Sequence, residues 1–146
     1  QNTVQEKMAS LMTNKLSAFL LTGIFFASST LCWGDVEPMV KQTQNGIAFI
    51  TGGVGSDERA ELKKVFSEYT LRLELANQKG EYLSRGQVSI VDSGGKEVLK
   101  TQVCGPWLLV NLPNGQYKVT VSQKDATKNA TVTVERGKIK VIIVRF

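Results

Sequence analysis

Histidine is missing from all 146 residues. That absence removes the commonest general base, the Ser-His and Cys-His nucleophile pairs, and the most frequent zinc ligand. Cysteine is nearly as scarce, with Cys32 and Cys104 alone. Only Pro38, Pro106 and Pro113 interrupt the chain as prolines, and no run of five like charges occurs. A net charge of +5 invites a nucleic-acid or anionic-surface reading, but the signs alternate, as in Glu58, Arg59, Glu61, Lys63, Lys64 and Glu68. Interspersed signs of this kind describe a solvated surface, so no nucleic-acid partner is expected.

The N-terminal region carries a targeting pattern. Met12-Thr13-Asn14-Lys15 is a short basic segment, and Leu16 to Leu31 is apolar and uncharged. Cys32-Trp33-Gly34 then puts small residues at −3 and −1 ahead of Asp35. This is the order of a secretory signal peptide. The apolar stretch is shorter than the ~20 residues of a spanning helix, and Leu31 stands where a lipoprotein signal has a small residue. Residues 1–34 are therefore expected to be a signal peptide with an upstream extension, cut after Gly34. The product is exported, periplasmic or secreted, with no stable membrane insertion after cleavage. Cys32 leaves with the signal on this reading. Cys104 then stays as a buried small hydrophobe or as a free thiol able to bridge two molecules.

Two periodicities organise the remainder. Residues 35–45 are polar, hold Pro38 and read as a leader or linker; residues 46–146 form one domain. Ile47 to Thr51 is β-prone and ends at Gly52-Gly53. From Ser56 to Tyr69 the period is helical. Leu62, Val65, Phe66 and Tyr69 share one stripe, Ser56 or Asp57 is placed to cap, and Glu58 suits the positive end of the helix dipole. After Tyr69 the period becomes two, with Leu71, Leu73 and Leu75 alternating with Arg72 and Glu74. Strands follow at Gln87–Asp92, Glu97–Val103, Trp107–Val110, around Tyr117–Val121, around Ala130–Val134 and at Ile139–Phe146. Ser93-Gly94-Gly95-Lys96, Pro113-Asn114-Gly115 and Asp125–Asn129 read as turns between them. About seven strands with one amphipathic helix make the chain mainly β, an antiparallel sandwich. A parallel sheet is not expected, because it would need helical crossovers and only one helix is present.

Leu112-Pro113-Asn114-Gly115-Gln116-Tyr117-Lys118-Val119 resembles the late-strand motif of carboxypeptidase regulatory-like domains. That resemblance implies a transthyretin-like (prealbumin-like) antiparallel β-sandwich. Asn45 to Arg59, followed by Gly105-Pro106-Trp107-Leu108, is similar to a group of short exported bacterial proteins of uncharacterised role. Cys104 departs from that pattern, which has a polar residue before Gly-Pro-Trp. The resemblance implies a fold and a compartment, and no activity.

Candidate sites are few. Gly52 to Asp57 precedes a helix and offers backbone N–H groups to an anion, yet lacks the Gly-Lys-Ser/Thr ending of a phosphate loop, and Asp57 and Glu58 repel phosphate. Glu58 and Arg59 are alternatively placed to dock the helix onto strand residues. Trp107 either stacks on a sugar or a partner when exposed, or fills the core beside Tyr117 when buried. Trp107, Tyr82, Asp57, Glu58 and Arg59 are the candidate contacts with a ligand or partner. Catalytic, cofactor and metal residues are not assigned, and no enzyme is expected. Scattered acids leave carboxylate-only catalysis without a convergent pair. The expected function is a monomeric, non-catalytic binding or structural module of the bacterial periplasm or cell surface, meeting an envelope protein or polysaccharide. The alternative is a carbohydrate-binding module using Trp107 and nearby tyrosines.

Overall fold

A computed structural model describes residues 38–146. The expected signal peptide and its cut site lie outside the described residues. The chain divides into two units, 1–30 and 31–146, and everything described belongs to the second.

Alternation builds two sheets. The described strands are β1 (Gln42–Gln44), β2 (Ile47–Gly52), β3 (Leu71–Ala76), β4 (Gly86–Asp92), β5 (Glu97–Val103), β6 (Trp107–Val110), β7 (Gly115–Gln123), β8 (Ala126–Val134) and β9 (Lys140–Arg145). One sheet runs β1-β2-β6-β3-β9 and the other β5-β4-β7-β8. Every second residue points between them: Leu71, Leu73 and Leu75, Val88 and Ile90, Leu108 and Val110, Val119 and Val121, Val132 and Val134 form one buried cluster. Burying each such side chain contributes about 1.5–3 kcal/mol. The molecule is thus mainly β, a two-sheet sandwich.

Helix α1 (Ser56–Lys64) connects β2 to β3 and is followed by one 3-10 turn, Phe66–Glu68. The expected single helix to Tyr69 therefore ends early. Val65 leaves helical geometry, and the tightened turn carries Phe66 towards the sheet and Tyr69 into extended backbone. Together they cover the outer face of the five-stranded sheet, where Ile50, Leu62, Tyr69, Trp107 and Leu109 make a second, separate cluster. Strand β6 lies between both clusters, so all four of its residues are buried.

Three other expectations change. Gln42–Gln44, read as linker, is an edge strand paired with β2. The Gln44 amide substitutes for a strand neighbour: its Oε1 accepts from Lys100 N at 2.7 Å and its Nε2 donates to Lys100 O at 3.1 Å, which joins the edges of the two sheets. Residues 126–129, read as turn, belong to β8. Only Lys124-Asp125 turn, and the ladder with β7, helped by Thr120 Oγ1 donating to Asn129 Oδ1 at 2.7 Å, overrides local turn chemistry. Finally β9 pairs parallel to β3, from Leu71 with Lys140 to Ala76 with Arg145. The opposite sheet supplies the long crossover that a helix usually provides.

Candidate functional site

The Gly52–Gly55 connection leaves β2 and must turn at once into α1. Gly53 adopts φ +88°, and a Cβ there would press on Trp107 Cγ at 3.3 Å. Its backbone is gripped from the helix. Glu58 Oε2 accepts from Gly53 N at 3.0 Å and Val54 N at 3.1 Å. Arg59 Nη1 donates to Gly53 O at 2.8 Å and Val54 O at 3.3 Å. Neither Ser56 nor Asp57 caps: the N-cap is Gly55, with no side-chain cap hydrogen bond. Glu58, one turn in, reaches past the cap to the loop instead. An anion cradle is thereby excluded at this loop, since the molecule's own carboxylate already occupies its N–H groups. The docking reading of Glu58 and Arg59 holds in a changed form, because they bind loop backbone and not strand side chains.

Trp107 is 4% exposed. It is buried, but not beside Tyr117. Trp107 faces outward from β6 under the helix, whereas Tyr117 lies between the sheets and donates to Pro113 O at 2.8 Å. Phe66 packs against the indole with ring centroids 5.7 Å apart, and Tyr82 meets it edge-on at 6.4 Å. The Arg72 guanidinium lies 5.4 Å from the Trp107 ring centroid and 4.8 Å from that of Phe66. Arg59 covers Tyr82 at 5.2 Å. The structure therefore brings Glu58, Arg59, Tyr82 and Trp107 into one cluster. Asp57 stays exposed in the first turn of α1, where its charge suits the helix dipole.

Charge at this site is spent on packing. Arg72 Nε lies 3.0 Å from Glu74 Oε1, with both side chains largely buried. The angle is not that of a hydrogen bond, so the pair is held as an ion contact while the guanidinium lies over two rings. The Trp107 indole N–H is buried without an acceptor. Among the described residues, no group of three His, Cys, Asp or Glu side chains is placed to hold a metal ion. Two tyrosines are perturbed. Burial, then the neighbouring Glu68 charge, raises Tyr69 above its ordinary 10.0. Burial, then Asp92, raises Tyr117. Both shifts keep a phenol neutral and fit neither for proton transfer near neutrality.

No family model matches the chain, and no curated protein does either. The site is therefore read from its own geometry.

Cys104 corrects the free-thiol reading: it is disulfide-bonded. It is also buried, and its N–H donates to Thr51 Oγ1 at 2.9 Å. Sequence reasoning passed over Arg72, Glu74 and the outer face of β9. Arg72 and Glu74 read as the solvent side of an alternating strand, because the helix that covers them has a stripe but no address in sequence. The last strand is apolar on both faces from Val141 to Val144, and Val141 and Ile143 are its outer pair. They stand 45% and 51% exposed. Depressions elsewhere, such as one of about 370 Å³ between Arg85, Gln87, Gln102, Ser122 and Lys124, involve none of the candidate residues. No described helix is long and apolar enough to cross a membrane.

Proposed function

We propose that the chain is a non-catalytic, exported module of the bacterial envelope that meets a protein partner through the outer face of β9. One observation carries this reading. Val141 and Ile143 are exposed on an edge strand, while the neighbouring positions of the same sheet face, Arg72, Glu74, Trp107 and Leu109, are covered by α1 and Phe66. Adjacent apolar side chains on an unpaired edge suit association better than solvent. The likeness of Leu112–Val119 to carboxypeptidase regulatory-like domains is in keeping with an accessory role. The sugar-binding alternative loses its platform, since both Phe66 and Tyr82 pack on the Trp107 ring and leave it 4% exposed.

A photo-reactive residue at Ile143, introduced into the exported protein in cells, tests the proposal. The same residue at Thr131, exposed on the far edge strand β8, is the control. A discrete adduct at Ile143 that excess unlabelled protein competes away, with none at Thr131, supports it. Equal labelling at both positions, or none at either, contradicts it.

A further inference from the structure

The corner that holds Cys104 also receives the chain's entry into the domain. Thr51 makes both contacts: its carbonyl accepts from Met39 N at 2.8 Å, and its hydroxyl accepts from Cys104 N at 2.9 Å. The next residue packs just as tightly, because a Cβ at Gly105 would collide with the carbonyl oxygen of Gly52. Met39 Sδ fills the space over Gly52. Residue 39 and residue 104 are thus held against one threonine.

Cys104 is disulfide-bonded, and the only other cysteine in the sequence is Cys32, which lies outside the described residues. The seven residues from Cys32 to Met39 span at most about 25 Å when extended, and Cys104 shares a hydrogen-bonding residue with Met39.

We propose that Cys32 is the disulfide partner of Cys104 and remains in the exported protein, so that processing occurs upstream of Cys32 and not after Gly34. The sequence has a suitable site there: Ala27 and Ser29 are small residues at −3 and −1 of a cut before Thr30. The bond forms by oxidation of two thiols. Each sulfur loses a proton, two electrons leave the pair, and a disulfide-bearing thiol oxidoreductase of the exporting compartment accepts them and becomes a dithiol. The bridge fastens the incoming leader to the corner between β2 and β6.

This inference rests on the exported reading, and the experiment separates the two. The protein is collected from the exported fraction without reductant, alkylated, and measured intact and by N-terminal peptide. Pairing predicts no alkylation before reduction, two alkylations after it, and an N-terminus at or before Cys32. An N-terminus beyond Cys32, one alkylatable thiol, or a covalent dimer through Cys104 overturns it. In parallel the full chain is refolded in a glutathione redox buffer, where pairing does not depend on export. Cys32→Ser and Cys104→Ser should each lower Tm there, and the double variant no further than the more damaging single one. Additive losses overturn the pairing. A paired chain in the redox buffer with no protein in the exported fraction overturns the exported reading and retention of Cys32 through processing, while the bond itself stands.

Discussion

The two sides of the five-stranded sheet are built by different means. Its inner face meets the second sheet through a mainly aliphatic cluster, with Phe49 and Tyr117 as its buried aromatics and Leu71, Leu73, Leu75, Leu108 and Val110 at 0% exposure. Its outer face is covered by α1 and the turn after it through aromatic rings and the Arg72–Glu74 pair, while Glu58 accepts two hydrogen bonds from loop backbone and Arg59 donates two to it. The inner contact is set by volume and periodicity, and any close-packed aliphatic set of the right shape satisfies it. The outer contact is directional. It needs two acids, two bases and a glycine with positive φ, each in a particular place. The consequence for function is that Glu58, Arg59 and Trp107, three of the five candidate contacts, are consumed in holding the helix and its loop down, while the end of the same face at β9 stays exposed.

The largest effect separating the two sides is expected in the inner core. Leu73→Ala leaves a cavity between sheets that cannot collapse, and urea denaturation should show a loss of about 3 kcal/mol. Glu58→Ala leaves the Gly53 and Val54 N–H groups without their acceptor, and the loss should be about 1–2 kcal/mol. Since the two residues contact opposite faces, the double variant should equal the sum within about 0.5 kcal/mol. A larger coupling would mean that the two faces are not independent.

Much of this division was legible in sequence, and the reason is visible in particular strands. Glu97–Val103 and Trp107–Val110 were bounded by glycine or proline turns, and both occur with those limits. Alternation from Leu71 to Leu75 places its leucines inward because a half-buried strand allows no other register. The outer side was less legible. Glu58 reads as an acid favouring a helix dipole, and its reach back to Gly53 depends on a loop shape that no periodicity encodes. Gln42–Gln44 has no apolar pattern, since its pairing is secured by an amide that imitates backbone. The parallel neighbour of β9 follows from the path of the chain through the other sheet. Cys104 is disulfide-bonded, and the residues around it in the sequence carry no sign of that bond.

A smaller effect concerns alkaline pH and belongs to the outer side. Burial raises Tyr69 above its ordinary 10.0, so the folded state keeps the proton after the unfolded state has lost it. Stability contributed by the neutral phenol is complete below that ordinary value and is lost as pH rises through the folded one. Tyr69→Phe should flatten the alkaline decline of Tm and leave the neutral value little changed. An unaltered decline would assign it to other groups, Tyr117 first among them. The smallest effect is expected at the exposed end of the same face. Ile143→Ser should alter stability by no more than about 0.5 kcal/mol, while removing the association attributed to β9.

The burial of Trp107 under α1 decides whether the sequence's most suggestive aromatic is a joint or a ligand platform. Replacing Trp33, the only other tryptophan, with phenylalanine makes Trp107 the sole indole reporter. Acrylamide quenching of that variant should find a blue-shifted emission that is poorly quenched in the native protein and fully quenched once urea unfolds the chain. Red-shifted emission, readily quenched in the native state, would place the indole in water and contradict the account.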